Sequence, residues 1–141
     1  MLECLIVGDG IAAGLAELRP ECKTYTKEGI SSQKWNKEFI KKTPLVAKRV
    51  IISLGSHDHF YIFTEPELRV LRKLTDAEKV YWILPAGNEP KFKFDVTRTQ
   101  NIIRRIAEEN DDIVLPITRT EEDGISPNEI AYKMLAERTK K

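Results

Sequence analysis

The sequence lacks the features that would place it in a specialised class. Two cysteines in 141 residues cannot build the disulfide framework of a small secreted scaffold. Seven glycines and seven prolines exclude a collagen-like or low-complexity chain. No apolar run approaches the roughly 20 residues of a membrane span, so a helical membrane protein is excluded. A net charge of +1, from 23 basic and 22 acidic side chains, gives no overall attraction to nucleic acid or to an anionic membrane. Met1 to Val7 carry neither the basic region nor the long apolar stretch of a secretion signal. The expected location is therefore the cytoplasm, where Cys4 and Cys22 read as buried thiols.

What is present is an ordinary soluble composition, 41% hydrophobic and 32% charged, which is enough to fill one core. The length suits one domain, 1–141. Apolar runs at 2–7, 23–26, 49–54, 79–84 and 112–115 read as strands. Their continuity suits strands buried on both faces of a parallel sheet. Between them lie amphipathic segments. Ile11 to Leu18 is closed by Pro20, and Ser32 to Lys42 carries Trp35, Phe39 and Ile40 at helical spacing. Thr64-Glu65-Pro66-Glu67 has the spacing of a helix start capped by Thr64, followed by Leu68, Leu71 and Leu74. Val96, Ile103, Ile106 and Ala107 mark a fourth helix, and Ser126-Pro127-Asn128-Glu129 opens the last with the spacing of a capping box.

Five strand–helix alternations predict an α/β fold, a three-layer α/β/α sandwich on a five-stranded parallel sheet of order 2-1-3-4-5. In that order the winding reverses between strands 1 and 3, and ligands bind outside the carboxyl ends of the strands at that point. Two loops are thereby singled out, Gly8-Asp9-Gly10 and Gly55-Ser56-His57-Asp58. Asn88 and Lys91, after strand 4, are expected to border the same crevice.

Four segments on these loops resemble the blocks of the SGNH hydrolases, in order and along nearly the whole chain. Val7-Gly8-Asp9-Gly10-Ile11 is similar to the Gly-Asp-Ser block, and Gly29 within Glu28-Gly29-Ile30-Ser31-Ser32 to the glycine of the second. Leu54-Gly55-Ser56-His57-Asp58 resembles Gly-x-Asn-Asp, and Asp123-Gly124-Ile125-Ser126-Pro127 resembles Asp-x-x-His followed by proline. Runs such as Val50 to Gly55 and Trp82 to Ala86 are closest to small SGNH-like proteins of bacteriophages. That likeness implies a phage protein working in the host cytoplasm. The resemblance implies an esterase-type fold with a serine nucleophile, an oxyanion hole and an acid–base histidine. Here the serine is Gly10, the asparagine His57 and the histidine Ser126. Of the residues named for the chemistry, Gly29 and Asp123 remain.

Ester hydrolysis by this route needs an oxygen nucleophile, a base and oxyanion donors. Gly10 offers no nucleophile, so no catalytic residue is assigned and a pseudoenzyme is expected. The candidate ligand-binding residues are Gly8, Asp9, Gly10, Gly29, Ser31, Gly55, Ser56, His57, Asp58, Asp123 and Ser126. Each has a plainer reading beside it. Gly10 relieves strain at a tight turn and leaves the first helix's N–H groups open to an anion. Ser126 caps a helix, and Asp123 holds a turn or accepts a pocket hydrogen bond. Trp35 is core, and Arg104 and Arg105 form a solvated helix face. His57 is solvated, a ligand contact, or with His59 and an aspartate a metal ligand.

The expected function is binding, or sequestration, of a small polar or anionic molecule, with a nucleotide-type signal as one candidate. No cofactor, membrane or nucleic acid is expected, and a homo-oligomer is left open. A hydrolase using His57 or a histidine-bound metal is the second reading. A structural or interaction protein without ligand is the third.

Overall fold

The computed structural model describes residues 1–59, 61–87 and 90–141, and for 90–95 the backbone alone. Asn88 and the side chain of Lys91 lie outside the described residues. Strands and helices alternate from end to end: β1 (Leu2–Gly8), α1 (Gly10–Glu17), β2 (Lys23–Thr26), α2 (Ser32–Phe39), β3 (Val46–Ser53), α3 (Thr64–Leu74), β4 (Asp76–Ile83), α4 (Pro90–Asn110), β5 (Ile113–Leu115) and α5 (Glu129–Arg138). The strands form a parallel sheet in the order β2-β1-β3-β4-β5, as the alternation requires.

Two-sided burial explains the continuous apolar runs. Leu5, Val7, Val50, Ile52, Val80 and Trp82 pack on one face with Trp35, Leu68, Leu71 and Ile103 from α2, α3 and α4. Ile6, Ile51, Tyr81 and Ile83 pack on the other with Ile11, Leu15 and Leu135 from α1 and α5. Trp35 is core, as expected, and its indole N–H donates to the Tyr25 carbonyl at 3.0 Å. Strands β3 and β4 begin three residues before the apolar runs do. In Val46 to Arg49 buried and exposed positions mix, with Lys48 and Arg49 interrupting the apolar run, as Asp76, Glu78 and Lys79 do at the start of β4. No helix among the described residues is long and apolar enough to cross a membrane.

Three local readings are corrected. Phe63, not Thr64, is the N-cap of α3, and it makes no side-chain bond; the Thr64 hydroxyl instead donates to Asp58 at 2.7 Å. Ser126 does not cap α5. Asn128 does, accepting from the Ala131 N–H at 2.9 Å, while Pro127 bridges to Thr120 outside the helix. Helix α2 is capped by Ser31 and ends at Phe39, three residues short of Lys42.

The cysteines differ from expectation too. Cys4 and Cys22 form a disulfide, with Cα atoms 4.8 Å apart. The thiol reading rested on an assumed compartment, whereas the register decides proximity. Leu5 pairs with Lys23, so Cys4 on β1 and Cys22 just before β2 stand side by side, both facing the α1 side.

Asp112 ties the opposite edge together. Its carboxylate accepts two bonds from Arg72 of α3, at 2.7 and 2.9 Å, and one from the Trp82 indole of β4 at 3.0 Å. The Asp112 side chain is only 2% exposed, so both donors depend on it. Asp112→Ala should lower the unfolding free energy by about 3 kcal/mol, the lower end for breaking a buried pair, because Arg72 keeps its bond to the Thr75 carbonyl. Urea denaturation of the two proteins measures this; a loss under about 1 kcal/mol, as for a surface pair, would contradict it.

Candidate ligand-binding site

At the carboxyl end of the sheet the β1 and β3 backbones nearly touch. Gly8 has φ of 141°, and a Cβ on it would lie 1.9 Å from the Ser53 carbonyl oxygen. Any side chain there would push the two central strands apart. Beyond this contact the Asp9 N–H donates to the Ser53 carbonyl, and the Lys27 N–H donates to that of Gly8, both at 3.0 Å. Three loops are thereby joined: β1–α1, β2–α2 and β3–α3.

Asp9 is the N-cap of α1. Its Oδ1 accepts from the N–H groups of Ile11 and Ala12 and from the Ser53 hydroxyl, at 3.0, 3.4 and 3.1 Å. The residue is fully buried, and Oδ2 has no partner among the described residues. Burial raises its pKa from 3.8 to about 6, against the lowering effect of those hydrogen bonds. The cap also corrects one expectation. Two of the α1 N–H groups that an anion would use are already taken by this carboxyl.

Gly10 is corrected as well. Its φ is not in the left-handed region, so turn strain does not explain it. What fills its surroundings is Glu28. A Cβ on Gly10 would meet the Glu28 Cγ at 3.2 Å, so Glu28 lies over the place where a side chain would begin. The next residue, Gly29, has φ of 75° and nothing within 4 Å of a would-be Cβ.

The β3–α3 loop carries Gly55, Ser56, His57 and Asp58. Asp58 is buried and turned inward, where it accepts from the Ser32 N–H at 2.8 Å and from the hydroxyls of Ser32 and Thr64. It therefore locks the starts of α2 and α3 to this loop. His57 is half-buried beside it. Its pKa lies below 6.5, chiefly through burial and then through His59, against the opposing fields of Asp58 and Glu28. The His57 and His59 rings stand 6.5 Å apart between centroids. The only described group of histidine, cysteine or carboxylate side chains close enough to share a metal is Cys4, Glu21 and Cys22, two of which are bonded to each other. Nothing in the geometry favours a metal held by His57 and His59.

The fourth segment closes on itself. Asp123 accepts from the N–H groups of Ile125 and Ser126, both at 2.9 Å, and from the Ser126 hydroxyl at 2.7 Å. These bonds hold its carboxyl below the usual range. Near this turn, Tyr132 of α5 packs against Gly14 of α1, and its phenol is raised by burial and then by the fields of Asp9, Glu17, Asp123 and Glu121. Ser31 is occupied as the cap of α2, accepting from Lys34.

Glu28, Ser53 and Tyr132 were not legible as site residues. For Tyr132 a signal existed. Gly14 sits inside α1, and a Cβ there would meet the Tyr132 hydroxyl at 2.5 Å, the close approach that an isolated helix glycine suggests. Ser53 is the register partner of Gly8. Nothing in the sequence marks Glu28 beyond its place next to Gly29.

No family model matches this sequence, and no curated protein matches it. Solved structures do. A GDSL-like lipase from Bacteroides thetaiotaomicron superposes with a TM-score of 0.70 at 17% identity, over 96% of this chain and 84% of that one. A member of the lipolytic G-D-S-L family from Veillonella parvula gives 0.70 at 15%, over 98% and 96%. The catalytic domain of a Streptococcus pneumoniae peptidoglycan O-acetyltransferase gives 0.67 at 14%, over 96% and 88%. At such identities the likeness is one of fold.

Two titrations check this geometry. A carboxyl whose folded pKa exceeds its unfolded value stabilises fully below the unfolded pKa, and that stability is lost as pH rises through the folded one. Wild type should therefore lose stability relative to Asp9→Asn between about pH 4 and 6, by on the order of 3 kcal/mol, and stay parallel to it above. A difference constant with pH would place Asp9 in water. For His57, the imidazole proton resonance should titrate with a midpoint below 6.5; a midpoint above it would mean that the carboxylates outweigh burial.

Proposed function

We propose that this chain is a binding protein, with a hydrolase-type fold whose crevice holds a small polar or anionic molecule without turning it over. The observation that carries the reading is at Gly10. The residue standing where the resemblance puts the nucleophile has no side chain, and Glu28 packs over the space. Two further features support it. Ser126, at the position of the general base, is a hydroxyl already committed to Asp123. His57, at the position of an oxyanion donor, is held toward its neutral form.

The same features narrow the ligand. A group lying over Gly10 meets the Glu28 carboxylate, so it must be a hydrogen-bond donor or a cation. His57, held toward its neutral form, adds a hydrogen-bond partner and not a positive charge. A nucleotide-type signal, with donors on its base, fits that description. A phage origin and a host-cytoplasmic site of action are part of the same proposal, on the sequence resemblance alone.

The test has a loss and a gain. Wild type should not hydrolyse short aryl esters above background, and serine-directed phosphonates should leave its mass unchanged. Gly10→Ser with Ser126→His and His57→Asn restores the missing groups, but a serine Cβ crowds Glu28. Adding Glu28→Ala should raise ester hydrolysis at least about tenfold over the triple variant, since groups acting as a unit are not additive. Incubation of wild type with a metabolite extract, followed by mass spectrometry, should recover a bound small molecule that Glu28→Arg fails to retain. Turnover by wild type that disappears in His57→Ala would replace the binder with a hydrolase. A phosphonate adduct on Ser56 or Ser126 would do the same.

A further inference from the structure

A groove of about 580 Å³ opens between α3 and α4, and none of its lining residues is among the candidate ligand-binding residues. Ile62, Pro66 and Ile102 give it an apolar lining, beside Glu65, Arg69, Arg98 and Arg105. It continues past Arg69 into a hollow of about 400 Å³ beside Arg72, Lys73 and Ile106. The charges do not cancel. Arg72 is neutralised by Asp112. Glu65 and Glu109 pair with Arg69 and Arg105. Arg98 donates to the carbonyls of Tyr61 and Ile62, at 3.0 and 3.1 Å, which carry no charge. Among the described lining residues, Arg98 and Lys73 leave two positive charges, whereas the whole chain has a net charge of +1.

Of the apolar side chains that line this basic groove, Ile62 is 70% exposed. Phe63, with Val70 and Leu74 seven and eleven residues after it, forms a separate stripe along α3 outside the described lining. An apolar lining beside excess positive charge has the make-up of a contact surface.

We infer that the α3–α4 groove docks an acidic amphipathic segment of a partner protein, apolar side chains toward Ile62, Pro66 and Ile102 and carboxylates toward Arg98 and Lys73. Helix α3 has 11 residues, a span of about 16 Å that three turns of a partner helix would match. Nucleic acid suits the groove less, because Glu65 and Glu109 face it and two excess charges neutralise few phosphates.

The test uses the intact chain and a fluorescein-labelled 16-residue peptide of Glu, Asp, Leu and Phe, apolar at helical spacing. A twin peptide carries Lys at every acidic position. Anisotropy should show saturable 1:1 binding of the acidic peptide, weakened by salt, and none of the twin. Lys73→Glu with Arg105→Glu breaks only an exposed ion pair, so the fold should survive, as circular dichroism would verify. That variant should bind the acidic peptide at least about tenfold more weakly, and Ile62→Asp at least about fivefold. Equal binding of the two peptides, indifference to charge reversal, or no saturation below ~1 mM would overturn the inference. So would an oligonucleotide that competes the peptide off. A dimer by sedimentation that Ile62→Asp dissociates would hand the groove to a second copy, and overturn it too.

Discussion

A carboxylate removed from water must be given donors, and Asp58 receives them from two helices. The N–H and hydroxyl of Ser32 come from the first turn of α2, and the hydroxyl of Thr64 comes from the first turn of α3. Removing one donor would leave buried negative charge underpaid, which costs more than an ordinary lost hydrogen bond. The positions of α2, α3 and the His57 loop are therefore one constraint. Asp9 does the same for the other side of the crevice, linking α1 to the end of β3 through Ser53. The difference lies in completion. Asp58 has both oxygens bonded, whereas Asp9 has one left over, and burial raises the pKa of Asp9 to about 6.

The fold was legible because it rests on a pattern that a sequence carries openly. Residues such as Val50, Ile51 and Ile52 are apolar in succession because alternate ones enter opposite layers. Five such runs with helices between them leave few topologies. The helix starts were less legible. Thr64 and Ser126 have the residue type and spacing of caps, but both hydroxyls were claimed by carboxylates, Asp58 and Asp123. Serine and threonine serve either partner equally well, and only tertiary structure chooses. The disulfide was hidden because the argument against it concerned chemistry in a compartment, while strand register set its geometry.

Of the site, the loops were visible and their internal commitments were not. Topology placed Gly8 to Gly10 and Gly55 to Asp58 at the point where the winding reverses, and the structure bonds the first of these loops, through Asp9, to Ser53 at the end of β3, two residues before the second. The sequence could not say that Asp58 faces inward, or that Glu28 covers Gly10. Both depend on the path of the β2–α2 loop, which short sequence patterns do not encode. The crevice and the α3–α4 groove are connected by one stretch of chain, since Arg98 holds the carbonyls of Tyr61 and Ile62 shortly after His57.

The bond between Cys4 and Cys22 has a topological meaning. With a sequence separation of 18, it closes a covalent ring that contains the Gly8-Asp9-Gly10 turn and the whole of α1. A ring this size gives the segment fewer ways to open, so its excursions from the sheet are shorter than those of an open chain. A protease cutting anywhere in the ring would nick the protein without releasing a fragment, and both sides of the cut would stay anchored beside β1. After a cut inside the ring, α1 thus stays covalently tied to both β1 and the chain leading into β2.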